Sequence, residues 1–161
     1  MPDFTYGFNI YLEYKNFDFT AFFQGVQGVD IISDLKKETD IWAGLNVGFL
    51  NKGHRLLNAW CVDNPSSNIP AVTLSDNNNE KRVSTYWVEN GSYLKLRTIQ
   101  LGYNLPQNIV SKLSMQRLRM YVSAQNLFTI KSSSFTGVDP ENPNYGYPIP
   151  LNITFGLNVT F

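Results

Sequence analysis

The chain has 161 residues, enough for one domain with a sizeable core, and its 13 Lys and Arg are balanced by 13 Asp and Glu. With zero net charge, nothing in the composition suggests a nucleic-acid footprint, which would need a basic surplus on one face. Charged residues at only 16% beside aromatics at 14% suit strands half-buried in lipid, and equally a compact all-β protein in water.

The opening Met1-Pro2-Asp3-Phe4 has neither a basic region nor an apolar stretch, so no signal peptide is read there. An outer-membrane protein with this start would be a fragment, or would begin further upstream. Residues 4–14 set Phe4, Tyr6, Phe8, Ile10, Leu12 and Tyr14 against Thr5, Gly7, Asn9, Tyr11 and Glu13. Successive strand residues point to opposite faces, so this period of two predicts a strand with one apolar face. A short turn at Lys15-Asn16 leads to a second strand over 17–26, with Phe17, Phe19, Ala21 and Phe23 against Asp18, Thr20, Phe22 and Gln24. The close spacing makes the two a hairpin.

Residues 27–91 form a long loop carrying Trp42, Trp60 and Trp87, and the polar run from Ser75 to Glu80. A third strand is predicted over 92–104, where Tyr93, Lys95 and Arg97 fall on the same face as Ile99, Leu101 and Tyr103. A basic residue costs roughly 2–4 kcal/mol at mid-bilayer. Either the first half of that strand stands above a membrane, or a bulge switches its faces. Leu105-Pro106 ends it, and Ile109 to Leu113 fits a single helical turn. The fourth strand spans 117–128, with Leu118, Met120, Val122 and Ala124 opposite Arg119, Tyr121, Ser123 and Gln125. A second long loop covers 130–150, and the fifth strand 151–161.

Short and long connections therefore alternate. Transmembrane barrels have short periplasmic turns and long extracellular loops. With the C-terminus in the periplasm, both long loops of this chain fall outside and both short ones inside. The predicted fold is all-β: an antiparallel up-and-down meander of about five strands, belonging to a large transmembrane barrel.

Residues that carry chemistry are sparse. The single cysteine, Cys61, excludes an internal disulfide and a multi-thiolate metal site; the single histidine, His54, lacks a second histidine or nearby cysteine to anchor a metal, and nothing indicates a triad partner for it. No glycine-rich phosphate loop follows a strand, so nucleotide binding is unsupported, and with no credible nucleophile, base or metal cluster neither enzyme activity nor a cofactor is expected. Asp76, Asn78 and Glu80 imitate the start of a calcium loop, but Lys81 replaces its glycine and Trp87 its closing glutamate. A looser loop calcium site from Asp76, Glu80, Asp139 or Glu141 is set against a plain solvated loop, which is preferred. The three tryptophans read either as sugar-stacking platforms or as loop-core residues. With Asp139, Tyr145 and Tyr147 they are the candidate extracellular contacts to substrate or partner. The three Asn-x-Ser/Thr sequons, at Asn90, Asn152 and Asn158, read as chance, since two lie inside the last strand.

The final strand is the most specific segment. Ile153, Phe155, Leu157, Val159 and Phe161 alternate with Thr154, Gly156, Asn158 and Thr160. It resembles the C-terminal assembly signal of outer-membrane proteins, with Thr154, Gly156, Val159 and Phe161 at its polar, glycine, apolar and aromatic positions. Nearly the whole chain resembles the C-terminal part of SusC/RagA-like TonB-dependent outer-membrane transporters of the Bacteroidetes. The likeness rests on Pro2 to Gly7 with Asp18 to Gly25, on Asn90 to Arg97 with Gln100 to Pro106, and on Leu118 to Phe128. It continues through Gly137-Val138-Asp139-Pro140-Glu141 and Tyr147-Pro148. Leu151 departs from the arginine that often follows the Tyr-Pro-x-Pro run.

The resemblance implies a plugged barrel in the Gram-negative outer membrane that imports oligosaccharides or peptides. The implied partners are the rest of the barrel and plug, a SusD-like surface lipoprotein, TonB, and outer-membrane lipid. The rival reading is a soluble, secreted lipocalin-like or β-sandwich ligand-binding protein, which needs roughly seven or eight strands.

Overall fold

The computed structural model describes residues 1–33, 35–36, 40, 53–73, 79, 82–143 and 147–161. Its residues gather into two bodies, one of Met1–Val29, Gly91–Ser132 and Pro148–Phe161, the other of Asp30–Asn90 and Ser133–Tyr147.

The first body is a five-stranded antiparallel sheet. Its strands are β1 (Phe4–Tyr14), β2 (Phe17–Gln27), β5 (Tyr93–Asn104), β6 (Arg117–Lys131) and β7 (Asn152–Thr160). The order is β1-β2-β5-β6-β7, so each long strand lies beside its neighbour in sequence. No crossover connection is needed, which is what a meander means. The hairpin turn forces Lys15 to a left-handed φ of 54°. Residues 105–116 hold a short helix α1 (Gln107–Val110) and a 3-10 turn at Ser111–Leu113, and the chain reverses at Ser114 with φ 56°. Val110, 1% exposed, anchors this connection.

Register places the side chains. Phe8 opposes Phe23, Ile10 opposes Ala21, and Leu12 opposes Phe19. Phe19 opposes Leu101, which opposes Val122, which opposes Phe155. The alternating apolar residues of all five long strands thus fall on one face, and Asn9, Gln24, Ser123, Gln125, Gly156 and Asn158 fall on the other.

The difficulty in β5 is resolved by a bulge. Phe22 pairs with Thr98 but Phe23 pairs with Leu96, which leaves Arg97 as an extra residue. An unpaired residue shifts the parity of a strand. Leu94 and Leu96 therefore join Ile99 and Leu101 on the apolar face, while Tyr93 and Lys95 turn to the polar one. Arg97 donates from Nε to Gln24 Oε1 at 2.8 Å on the polar side. Across the same level β6 carries Asn126, at φ 56°, and Leu127 between its paired residues Gln125 and Phe128.

The second body corrects the reading of 27–91 as loop alone. Strands β3 (Asp30–Ile32) and β4 (Val88–Asn90) pair antiparallel near the two ends of that segment. Three residues per strand are too few to show alternation in the sequence. Between them, 3-10 turns form at His54–Asn58 and Thr85–Trp87. β6 also runs past the predicted 128 to Lys131, because Phe128 to Lys131 pair with Leu96 to Tyr93. The second loop is accordingly shorter than 130–150.

Candidate functional site

The chemistry of this chain lies in the contrast between two sheet faces and in the last strand. On the apolar face Phe8 stacks on Phe23 with ring centroids 4.7 Å apart, and Phe17 tilts against Tyr103 at 4.6 Å. These contacts fix the wall, yet the face stays open: Phe155 is 81% exposed and Leu157 66%. A contiguous apolar surface of this kind belongs against lipid or another protein rather than water.

The opposite face is polar and internally paired. Arg119 on β6 forms a two-pronged ion pair with Asp18 on β2, reaching diagonally over β5. It crosses at Gly102, where a Cβ would collide with both the carboxylate and the guanidinium. The Arg119 guanidinium also lies 5.3 Å from the Tyr121 ring centroid. Arg117 donates from Nε and Nη2 to Asn104 Oδ1 at 3.1 and 2.9 Å.

In β7, Thr154 and Gly156 lie on the polar face, opposite Ser123 and Tyr121, and Val159 lies on the apolar face opposite Leu118. Gly156 is a space requirement: a Cβ there would sit inside the Tyr121 phenol. Phe161 follows the strand at 77% exposure. β7 and β1 stand at the two edges of the sheet, each with one strand neighbour among the described residues.

The loop candidates are dispersed in character. Trp87 is 1% exposed, sits edge-on to Tyr86 at 5.0 Å, and donates its indole N–H to Arg82 O at 2.9 Å. Of its two readings it fits the loop core. Trp60 is 45% exposed and Tyr147 97%. Asp139 is 7% exposed and accepts the Glu141 N–H at Oδ1 at 3.0 Å, a turn-forming contact. Trp42, Tyr145, Asp76, Asn78 and Glu80 lie outside the described residues. Among the described residues no three His, Cys, Asp or Glu gather as a metal-binding set.

Charged side chains that the sequence did not single out hold the second body together. Arg55 Nη1 lies 3.0 Å from the buried Asp40 carboxylate, which accepts the Tyr86 hydroxyl at 2.8 Å. Burial first, then that hydrogen bond and the Asp40 charge, hold the Tyr86 phenol well above its ordinary range. Burial lowers the Lys36 ammonium, and the Glu89 carboxylate partly opposes the shift. No local pattern marks these residues, since their partners lie 15 or more positions away.

Comparison with known proteins adds independent findings. No protein-family model matches the chain. TonB-dependent receptor P3 of Formosa agariphila is 36% identical over 99% of the chain and 16% of its own length. TonB-dependent receptor SusC of Bacteroides thetaiotaomicron is 27% identical over 99% of the chain and 15% of its own length. The RagAB peptide importer, solved in a 'closed-closed' state, superposes on all of the chain with a TM-score of 0.81 and 29% identity, over 17% of the matched chain. The chain thus spans about one sixth of the length of these relatives. Sequence and backbone agree from end to end: the chain is a SusC/RagA-like segment of a TonB-dependent receptor.

Proposed function

We infer that the five-stranded sheet is a section of barrel wall in an outer-membrane, TonB-dependent importer of bulky nutrients, oligosaccharides or peptides. The observation that supports this best is the two-faced meander, whose exposed apolar side runs unbroken from Phe8 through Leu101 to Phe155. A lipocalin-like protein would instead pack that side as a closed interior. Five strands cannot close a barrel, which needs about eight even for a filled interior. Further strands must therefore complete the wall, with β1 and β7 offering the edges. The described face with Asp18, Arg119 and Gly156 looks into the lumen, and the second body lies in the extracellular loops. A SusD-like lipoprotein outside and TonB, acting through other parts of the polypeptide, are the partners. The segment serves import and has no enzymatic role.

The C-terminus lies on the periplasmic side, and Thr154, Gly156, Val159 and Phe161 act as the assembly signal. Phe161 ends an edge strand to which the insertion machinery can add its own strand, and Gly156 leaves room for the Tyr121 ring. Deleting Phe161, or replacing Gly156→Arg, in the full-length receptor is expected to block insertion. Heat-modifiable gel migration and surface labelling read the outcome. Normal surface levels of both variants would reduce the last strand to an ordinary one.

A further inference from the structure

We propose that the Glu89 carboxylate is a clasp that joins the two long connections into one moving body, so that displacement of either is passed to the other. In a meander these connections are separate: one links β2 to β5, the other β6 to β7. Loops of that kind ordinarily move independently, at low local stability.

Here one carboxylate holds both. Glu89 on β4 is 5% exposed. From the second connection, Thr136 donates its backbone N–H to Glu89 Oε2 at 3.0 Å, and its hydroxyl lies 2.9 and 3.0 Å from the two carboxylate oxygens. From the first connection, Lys36 Nζ stands 3.7 Å from Glu89 Oε1. The same ammonium donates to the Tyr86 carbonyl and sits 4.1 Å from the Tyr86 ring centroid.

The hydrogen atoms assign a direction to the network. An ionised carboxylate only accepts, so the single Thr136 hydroxyl proton is committed to Glu89. Ser33 Oγ, 3.4 Å from Thr136 Oγ1, must then be the donor to it. Ser33 Oγ in turn accepts the Lys36 backbone N–H at 3.2 Å. The result is a ring: Lys36 to Ser33 to Thr136 to Glu89, closed by the Lys36 ammonium. Ser33 is 0% exposed and its N–H donates to Trp87 O at 3.0 Å, which ties the ring to the 3-10 turn that leads into β4. Two arms thus leave Lys36 and converge on Glu89, and the arm through Ser33 and Thr136 points one way throughout, so its links strengthen one another and weaken together when one is cut. Thr136 is the member from the second connection, and it reaches Glu89 through both its hydroxyl and its backbone N–H.

The test is hydrogen exchange of the full-length receptor in lipid, with each loop perturbed from the other. Thr136→Val removes the hydroxyl from the second connection, and the reporters are the two peptides that hold the Ser33 amide and the Trp87 amide of the first. Glu89→Gln perturbs the first connection, and the reporter is the peptide covering Phe135 to Asn142. Each reporter should exchange about tenfold faster or more, the scale of a lost hydrogen bond to a charged group. Thr136→Ser, which keeps the hydroxyl, should restore the slow rate. Faster exchange confined to the loop that carries the substitution would overturn the proposal. So would acceleration that extends to the β5 and β6 peptides, because the ring would then be a requirement of the fold and not a link between loops.

Discussion

Phe155→Arg separates a lipid-facing wall from a sheet that faces water. Phe155 sits near the middle of β7 and is 81% exposed, so in a soluble protein its replacement would act on stability by only about ±0.5 kcal/mol. In a barrel wall the same exposed surface is buried in hydrocarbon. An arginine near mid-bilayer costs about 2–4 kcal/mol, and loss of most of the ring's apolar burial adds about 1–2.5 kcal/mol. The sum, about 3–6.5 kcal/mol, corresponds to more than a hundredfold in the folded-to-unfolded ratio. Thr154→Arg, one residue away on the polar face, should cost about 1 kcal/mol or less, since a lumen position stays hydrated. The assay is denaturant unfolding of the full-length receptor in phospholipid vesicles, with heat-modifiable migration as a check on assembly. Equal tolerance of the two variants would refute the assignment of faces.

The ion pair over Gly102 gives a second expectation. Asp18→Asn and Gly102→Val should each lower the unfolding midpoint, and the double variant should add little to either, because both remove one crossing. A coupling of about 1–3 kcal/mol is expected, and strict additivity would show that Gly102 is not the passage for the pair. The third concerns pH. Folding keeps the Tyr86 phenol protonated above its ordinary value of 10.0, so its contribution is whole below that value. It falls as pH rises past it, where the released chain ionises and the folded one does not. Proteolytic cleavage within 53–73, normalised to an unstructured peptide, should rise between about pH 9 and pH 11, and Tyr86→Phe should flatten that rise.

Much of the wall was legible in the sequence because a two-residue period is local. The alternation in 4–14 places six side chains on one face with no knowledge of any partner, and β1 forms over those residues. β5 was legible only to a fork. Lys95 and Arg97 on an apolar face signalled a conflict, but locating the bulge at Arg97 requires the registers of β2 and β6 together. The second body was not legible. Glu89 and Thr136 are 47 positions apart, and Asp40 and Tyr86 are 46 apart. Nothing in the local composition of 30–36 or 85–90 distinguishes a buried ion pair from a solvated loop. The Asp18 to Arg119 pair falls between these cases: each residue was placed on the polar face, and only the sheet order brings them within reach.

The bulge at Arg97 is one step of a staircase. At the same level β2 passes directly from Phe22 to Phe23, β5 inserts Arg97 between Leu96 and Thr98, and β6 inserts Asn126 and Leu127 between Gln125 and Phe128. Each added residue is left out of the ladder, where it bends its strand and raises the local right-handed twist. One extra residue reverses the alternation of β5, whereas two restore it in β6. Leu94 and Leu96 therefore meet Ile130 and Phe128 on the same face on which Ile99 and Leu101 meet Ala124 and Val122.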